Sequence, residues 1–219
     1  MKTFVAVIIL LFSSSLMAQV TSVNVYEPLA GKAGLTAEYF RDAKAIQEAM
    51  GANVAINSDM SGIYRYALTF QNWQGYGEFV QQLGSNEAWR AFQNKISKTP
   101  SAIQTDNLQL NLADVTEGGT FGPGSVSQVT VWEVTTGTMA QLMEGGMGAK
   151  PIHESAGANV LIYGTGVNTM YYILRFENFS DWGKFRDTPN PAFNQYMQQL
   201  NATGDLGAVV IERHTLIGL

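Results

Sequence analysis

The sequence predicts an α+β protein made of two tandem copies of one βαββαβ unit, and three observations predict it. Residues Tyr64 to Phe79, YRYALTFQNWQGYGEF, return as Met170 to Phe185, MYYILRFENFSDWGKF, at an offset of 106 residues. Tyr66, Leu68, Phe70, Asn72, Gly77 and Phe79 meet identical partners there, whereas ordinary residue frequencies give roughly one match in such a stretch. The same offset, without a gap, pairs Gly51-Ala52-Asn53-Val54 with Gly157-Ala158-Asn159-Val160, and Val23, Val25 and Glu27 with Val129, Val131 and Glu133. Within each copy the apolar period then switches between strand and helix in the same order, as an internal duplication requires.

In the first unit, residues 20–27 alternate at the period of a strand that Pro28 ends. Leu35, Tyr39, Ala43, Ile46 and Met50 fall at three- and four-residue steps, so Gly34 to Met50 reads as a helix with one apolar face, and Gly51 is its stop signal. A short strand, Asn53 to Asn57, turns at Ser58 to Gly62 into a longer one, Ile63 to Phe70. Asn72 has the side chain to cap a second helix that runs to about Ile96, with Gly75, Gly77 and Gly84 as weak points. After Thr99-Pro100-Ser101, Leu108, Leu110 and Leu112 alternate with Gln109 and Asn111 in a fourth strand.

The second unit repeats the plan: strand 127–134, helix 138–154, strands 158–163 and 168–177, a helical stretch 178–200, and strand 206–216. Pro189 and Pro191 interrupt its second helix. Gly145-Gly146-Met147-Gly148 weakens its first and reads as a flexible turn, because it lacks the preceding strand and the lysine of a phosphate-binding loop.

Four strands and two helices in this order form a split βαββαβ, or ferredoxin-like, unit: an antiparallel sheet with both helices on one face. Each sheet then has a bare face. Two bare faces in one chain are best buried against each other. The expected divisions are an export signal at 1–18, a first unit at 19–116, a glycine-rich linker at 117–126 and a second unit at 127–219.

The signal rests on Lys2, the apolar run Phe4 to Phe12 and the small residue Ala18 before the expected cut. Nine uninterrupted apolar residues are too few to span a bilayer, so the expected localisation is periplasmic or secreted, with no membrane attachment of the mature form. There is no cysteine, hence no disulfide framework and no thiolate chemistry. The net charge is −5, and −6 once Lys2 leaves (12 basic against 18 acidic residues), with no basic run. Such a chain is a poor candidate for nucleic acid or anionic membrane surfaces, and no nucleic-acid partner is expected. The expected partner is a small-molecule ligand, with the protein a monomeric pseudo-dimer or a homo-oligomer.

A strand followed by an Asn-aromatic helix start and then Asn86-Glu87-Ala88-Trp89-Arg90-Ala91-Phe92 resembles the dimeric α/β-barrel superfamily, especially its NIPSNAP-like and antibiotic-biosynthesis-monooxygenase-like branches. The resemblance implies that the two units close into a pseudo-dimeric α/β barrel. It also implies cofactor-independent oxygenase or isomerase chemistry on an aromatic or enolisable substrate, and some barrel relatives bind haem. The second unit departs from the pattern, with Asn190-Pro191-Ala192-Phe193 where the tryptophan segment belongs.

Strand parity selects the candidate site residues. If Val23, Val25, Leu68, Phe70, Val129, Val131, Leu174 and Phe176 face the helices, then Asn24, Tyr26, Arg65, Thr69, Thr130, Trp132, Tyr171 and Arg175 face the barrel interior. A pocket lined by Tyr26, Arg65, Trp132, Tyr171 and Arg175 would suit an anionic or carbonyl-rich ligand. The alternative is that Arg65 and Arg175 pair with Glu27, Glu133 or Glu212 as structural ions.

Of the two histidines, His214 beside Arg213 and Glu212 on the last strand is the candidate base or axial ligand, and with Arg175 the candidate catalytic pair. His153, in the irregular helix, reads as solvent-facing or core. No metal-ligand spacing, nucleophile elbow or redox thiol pair appears, so no metal or cofactor is expected. Trp73, Trp89 and Trp182 read as fillers between helix and sheet; Trp132 is the expected ligand contact. Three functions follow: an exported non-catalytic binding or stress-related module, a cofactor-independent oxygenase or isomerase using Arg175, Trp132 and His214, and a protein-interaction module.

Overall fold

The computed structural model describes residues 19–113, 122–203 and 207–219. The expected export signal, and residues 117–121 of the expected linker, lie outside the described residues. The first unit runs β1 (Val20–Pro28), α1 (Ala33–Ala49), β2 (Asn53–Asp59), β3 (Tyr64–Phe70), α2 (Trp73–Ser85), α3 (Glu87–Lys98) and β4 (Ala102–Leu112). The second runs β5 (Val126–Val134), α4 (Met139–Ser155), β6 (Asn159–Gly164), β7 (Thr169–Phe176), α5 (Phe179–Asp187), α6 (Pro191–Thr203) and β8 (Ala208–Gly218). Val126, placed in the linker from sequence, is the fully buried first residue of β5.

The eight strands close into one antiparallel barrel in the order β1-β3-β2-β8-β5-β7-β6-β4, with β4 returning to β1. Each unit therefore keeps the ferredoxin-like order 4-1-3-2, and the units meet edge to edge. Those junctions are short: Asn57, Ser58 and Asp59 pair with Gly218, Ile217 and Leu216, and Asn111 and Leu112 with Gly164 and Tyr163. Closure leaves the helices outside, each unit with its own core beneath them, and a third, smaller apolar core inside, where Val129, Val131 and Leu216 pack with Tyr171 and Ile173. This is a pseudo-dimeric α/β barrel folded within a single chain.

The duplication holds at the level of elements, since α1, β1 and β4 begin and end 106 residues before α4, β5 and β8. In both copies the first helix stops at a glycine with positive φ, Gly51 at 92° and Gly157 at 95°, where a side chain would be strained. Local caps set the other boundaries. The side chain of Asn72 accepts from the Gly75 amide at 2.8 Å and that of Asn86 from the Trp89 amide at 2.9 Å, so the single long helix expected over this stretch is two, the second restarted by its own cap.

Asn178 opens α5 in the same way, accepting from the Asp181 amide. The prolines then separate α5 from α6, and the Asn190 side chain accepts from Phe193 N. The expected flexible turn at 145–148 is instead the middle of α4, which runs unbroken through Pro151 from a Thr138–Gln141 capping box. Gly145 and Gly146 are buried there, and tertiary packing outweighs their low helix propensity.

Candidate functional site

Strand registers divide the expected pocket residues between two faces. Val25 lies opposite Arg65 and Thr21 opposite Thr69, while Tyr26 lies opposite Tyr64 and Asn24 opposite Tyr66. Tyr64, Tyr66 and Leu68 belong to the core under α1, α2 and α3, with Tyr26 packed against it. Arg65, Thr69, Val23 and Val25 thus face the barrel interior, and Tyr26 and Asn24 the helices. In the second unit Val131 lies opposite Tyr171 and Ser127 opposite Arg175, facing inward, while Trp132 opposite Met170 and Thr130 opposite Tyr172 face the helices. The expected direction of the valines, Asn24, Tyr26, Thr130 and Trp132 is therefore corrected. The physical reason is that both faces of a barrel strand are buried, so apolar alternation marks two faces without saying which is covered by helices.

The interior polar groups are engaged with one another. Arg65 donates Nη1 to Asp59 Oδ2 at 2.9 Å and Nη2 to His214 Nδ1 at 3.2 Å. A guanidinium has only donors, so Nδ1 accepts and Nε2 carries the proton, which it donates to Glu212 Oε2 at 2.8 Å. Both ring nitrogens of His214 are used. Arg65 is indeed held as a structural ion, but by Asp59 rather than by the glutamates expected. Burial raises the Asp59 pKa less than the hydrogen bonds from Ser61, Arg65 and Ile63 lower it, so the carboxyl titrates below its ordinary value.

Arg175 lies near the other end of the interior, beside Tyr163, and burial pushes its pKa down to about 10, which still leaves it charged at neutral pH. Thr21, at the same end, lies 3.0 Å from Thr69, hydroxyl to hydroxyl. Four strand residues, on the order of 13 Å, separate Thr21 from the Val25 position opposite Arg65. The two arginines do not converge on one ligand.

A cavity of about 480 Å³ lies elsewhere, between the second unit's sheet and its helices. Trp132, Met170, Tyr172 and Leu174 form its floor, and Gly145, Gly146, Phe193 and Tyr196 are among its helical walls. His153 lines it. The His153 ring is 8% exposed, its centroid 4.4 Å from that of Phe193 and 5.8 Å from that of Phe185. Its Nδ1 lies 2.8 Å from the Tyr172 hydroxyl. Nε2 has no hydrogen-bond partner among the described residues, and the ring lines the cavity. Burial lowers the His153 pKa, leaving the imidazole neutral at neutral pH, and burial chiefly raises that of Tyr172, which stays a phenol.

The first unit explains how the cavity arises. Phe40 fills the equivalent space, with its ring centroid 5.0 Å from Tyr26, 5.4 Å from Tyr64 and 5.4 Å from Tyr66. At the offset of 106, Phe40 becomes Gly146, Tyr39 becomes Gly145, and the three neighbours become Trp132, Met170 and Tyr172, all lining the cavity. Gln47, whose Oε1 accepts from the Tyr66 hydroxyl at 2.6 Å, becomes His153. In one half Phe40 occupies the space beneath the first helix; in the other, glycines stand at the two aromatic positions and an imidazole at the glutamine position.

The site therefore joins two residues selected by strand parity, Thr130 and Trp132, to one set aside, His153, and omits Tyr26, Arg65, Tyr171, Arg175 and His214. The signal that finds it was present in the sequence, as the two aromatic-to-glycine changes and the glutamine-to-histidine change in an otherwise matched helix.

No protein-family model matches this sequence, and none of the curated proteins is similar to it at significance. Solved structures share its fold. A candidate monooxygenase from Fusobacterium nucleatum aligns with a TM-score of 0.59 at 14% identity, over 92% of this chain and 93% of that one. A second, from Lactobacillus acidophilus, gives 0.59 at 15% over 92% and 94%. A heme-binding protein from Thermus thermophilus gives 0.52 at 10% over 92% and 91%. At these identities the likeness establishes the dimeric α/β-barrel fold.

Proposed function

We propose that this protein takes a flat, ring-containing organic molecule into the second unit's cavity, and that His153 acts there as a base, in the manner of a cofactor-independent oxygenase. The observation that carries this is the paired difference within one duplicated framework: the space and the imidazole occur together in the half that has Gly145 and Gly146 where the other has Tyr39 and Phe40. A neutral imidazole on the cavity wall, with one nitrogen held by a phenol and the other without a partner among the described residues, is arranged to accept a proton. His153 Nε2 would take a proton from an acidic C–H of a substrate methylene. The carbanion then transfers one electron to dioxygen, and the two radicals join as a peroxide that recovers the proton from His153. Loss of water from this hydroperoxide, with the second C–H proton, leaves a carbonyl, so that a methylene group and dioxygen become a ketone and water. The fold likeness to candidate monooxygenases supports the reading. The role written from sequence for His214 thus passes to His153, while Trp132 keeps its place as a ligand contact.

A porphyrin is the second reading, favoured by the chemistry of the donor set and by the heme-binding protein that shares the fold. Among the described residues no group of three His, Cys, Asp or Glu could hold a bare metal ion. A metal bound through His153 must bring its other ligands with it, as haem iron does. His153 would hold the iron through Nε2 with Nδ1 oriented by Tyr172, and Arg186 and Arg213, which also line the cavity, would hold the carboxylates. When bound, the group would supply peroxide or oxygen chemistry.

Oxygen uptake with an enolisable polycyclic ketone such as anthrone, measured in metal-free buffer, tests the first reading, and titration with hemin tests the second. His153→Gln, which copies the first unit, is expected to reduce enzymatic oxygen uptake about a hundredfold or more. No uptake above background together with a stoichiometric hemin spectrum lost in His153→Gln would replace the oxygenase reading by the haem one. Failure of both would leave a non-catalytic ligand carrier. Residues 1–18 support placing any of these outside the cytoplasm.

A further inference from the structure

Resting on the cavity reading above, we infer that its ligand is an anion: an apolar ring compound whose acidic group is held at the mouth by Arg186 and Arg213. The chain is acidic overall, with 18 Asp and Glu against 13 Lys and Arg. The described residues that line this cavity nevertheless include two arginines and no aspartate or glutamate. Arg186 comes from α5 and Arg213 from β8, so the two cations reach the mouth from the helical wall and from the sheet.

Neither guanidinium has a hydrogen-bond or ion-pair partner among the described residues; Arg186 lies over the Trp182 ring at 5.9 Å. Both arginines are solvent-exposed, which puts their guanidiniums on the open side of the cavity they line. Two guanidiniums on the rim of one apolar chamber are the donors an oxyanion takes, and an anion held there directs its ring system inward past Trp132 and Met170 toward His153. The polar end is thereby assigned to the mouth and the reacting carbon to the interior.

Two fluorescent probes with the same ring skeleton test this at about pH 7.5: anilinonaphthalene sulfonate, which carries the anion, and N-phenyl-1-naphthylamine, which does not. The sulfonate is expected to bind one per chain, more tightly than the neutral dye, with an advantage that shrinks as salt is added. In Arg186→Gln/Arg213→Gln its affinity should fall about tenfold or more while the neutral dye is unaffected. Equal binding of the two dyes, or a sulfonate affinity untouched by the double substitution, overturns the anion assignment and leaves the cavity reading standing. If neither dye binds, or if Gly146→Phe displaces neither, the cavity reading falls and this inference with it.

Discussion

His153 Nδ1 lies 2.8 Å from the Tyr172 hydroxyl, at the position where the first unit holds Gln47 2.6 Å from the Tyr66 hydroxyl. The same contact is made in both halves, by an amide that does not titrate in one and by an imidazole that does in the other. The first unit is thus an internal control for the second.

His153→Gln should fold and should change the pH dependence of stability. Burial holds the His153 pKa below its ordinary 6.5 in the folded protein, so the unfolded chain takes up the proton first. The stability tied to the neutral ring is fully present above about pH 6.5 and is lost as pH falls through the folded value. Urea midpoints at about pH 7.5 and pH 5 should therefore differ more for the wild type than for His153→Gln. Equal differences would show that the ring is not buried as described.

Gly146→Phe writes the first unit's residue into the second and should close the cavity. A Cβ at this position would lie 3.0 Å from Met170 Sδ, a flexible neighbour that can swing aside. The expected cost is about 1–3 kcal/mol, typical of overpacking, with ligand affinity reduced at least about tenfold. Circular dichroism confirms the fold, and calorimetry against the neutral dye reads the binding.

Phe40→Ala is the reverse experiment. Removing the ring that Tyr26, Tyr64 and Tyr66 surround should cost about 3–5 kcal/mol in urea unfolding. A loss under about 1 kcal/mol would mean that the first unit is not packed solid and that the contrast between the halves is false.

Asp59→Asn removes the carboxylate that pairs with Arg65 at 2.9 Å, where the two side chains are 11% and 14% exposed. It leaves the Arg65 guanidinium without its counter-charge and held by His214, beside the three-residue junction of β2 with β8, and should cost about 1–3 kcal/mol. Binding in the second-unit cavity should be unchanged, since Asp59 and Arg65 line no part of it. Weakened ligand binding in a folded Asp59→Asn protein would tie the barrel interior to the site.

Sequence alone determined the two copies, the order of strands and helices, the helix stops at Gly51 and Gly157, and the closing of two bare sheet faces on each other. Those features depend on local periodicity, on capping groups and on the need to bury apolar surface, all of which are written along the chain. It also contained the exchange of Phe40 and Tyr39 for glycines, although a glycine-rich run inside a helical pattern read as a turn. Only the tertiary structure decided which face of each strand the helices cover, because a barrel buries both and the alternation of Val23 and Val25 with Asn24 and Tyr26 is compatible with either. That one ambiguity moved Trp132 from the barrel interior to the sheet–helix cavity, tied His214 to Arg65 and Glu212, and brought His153 to the cavity wall. Which imidazole lines the cavity depends on neighbours far apart in sequence, and only packing brings those neighbours together.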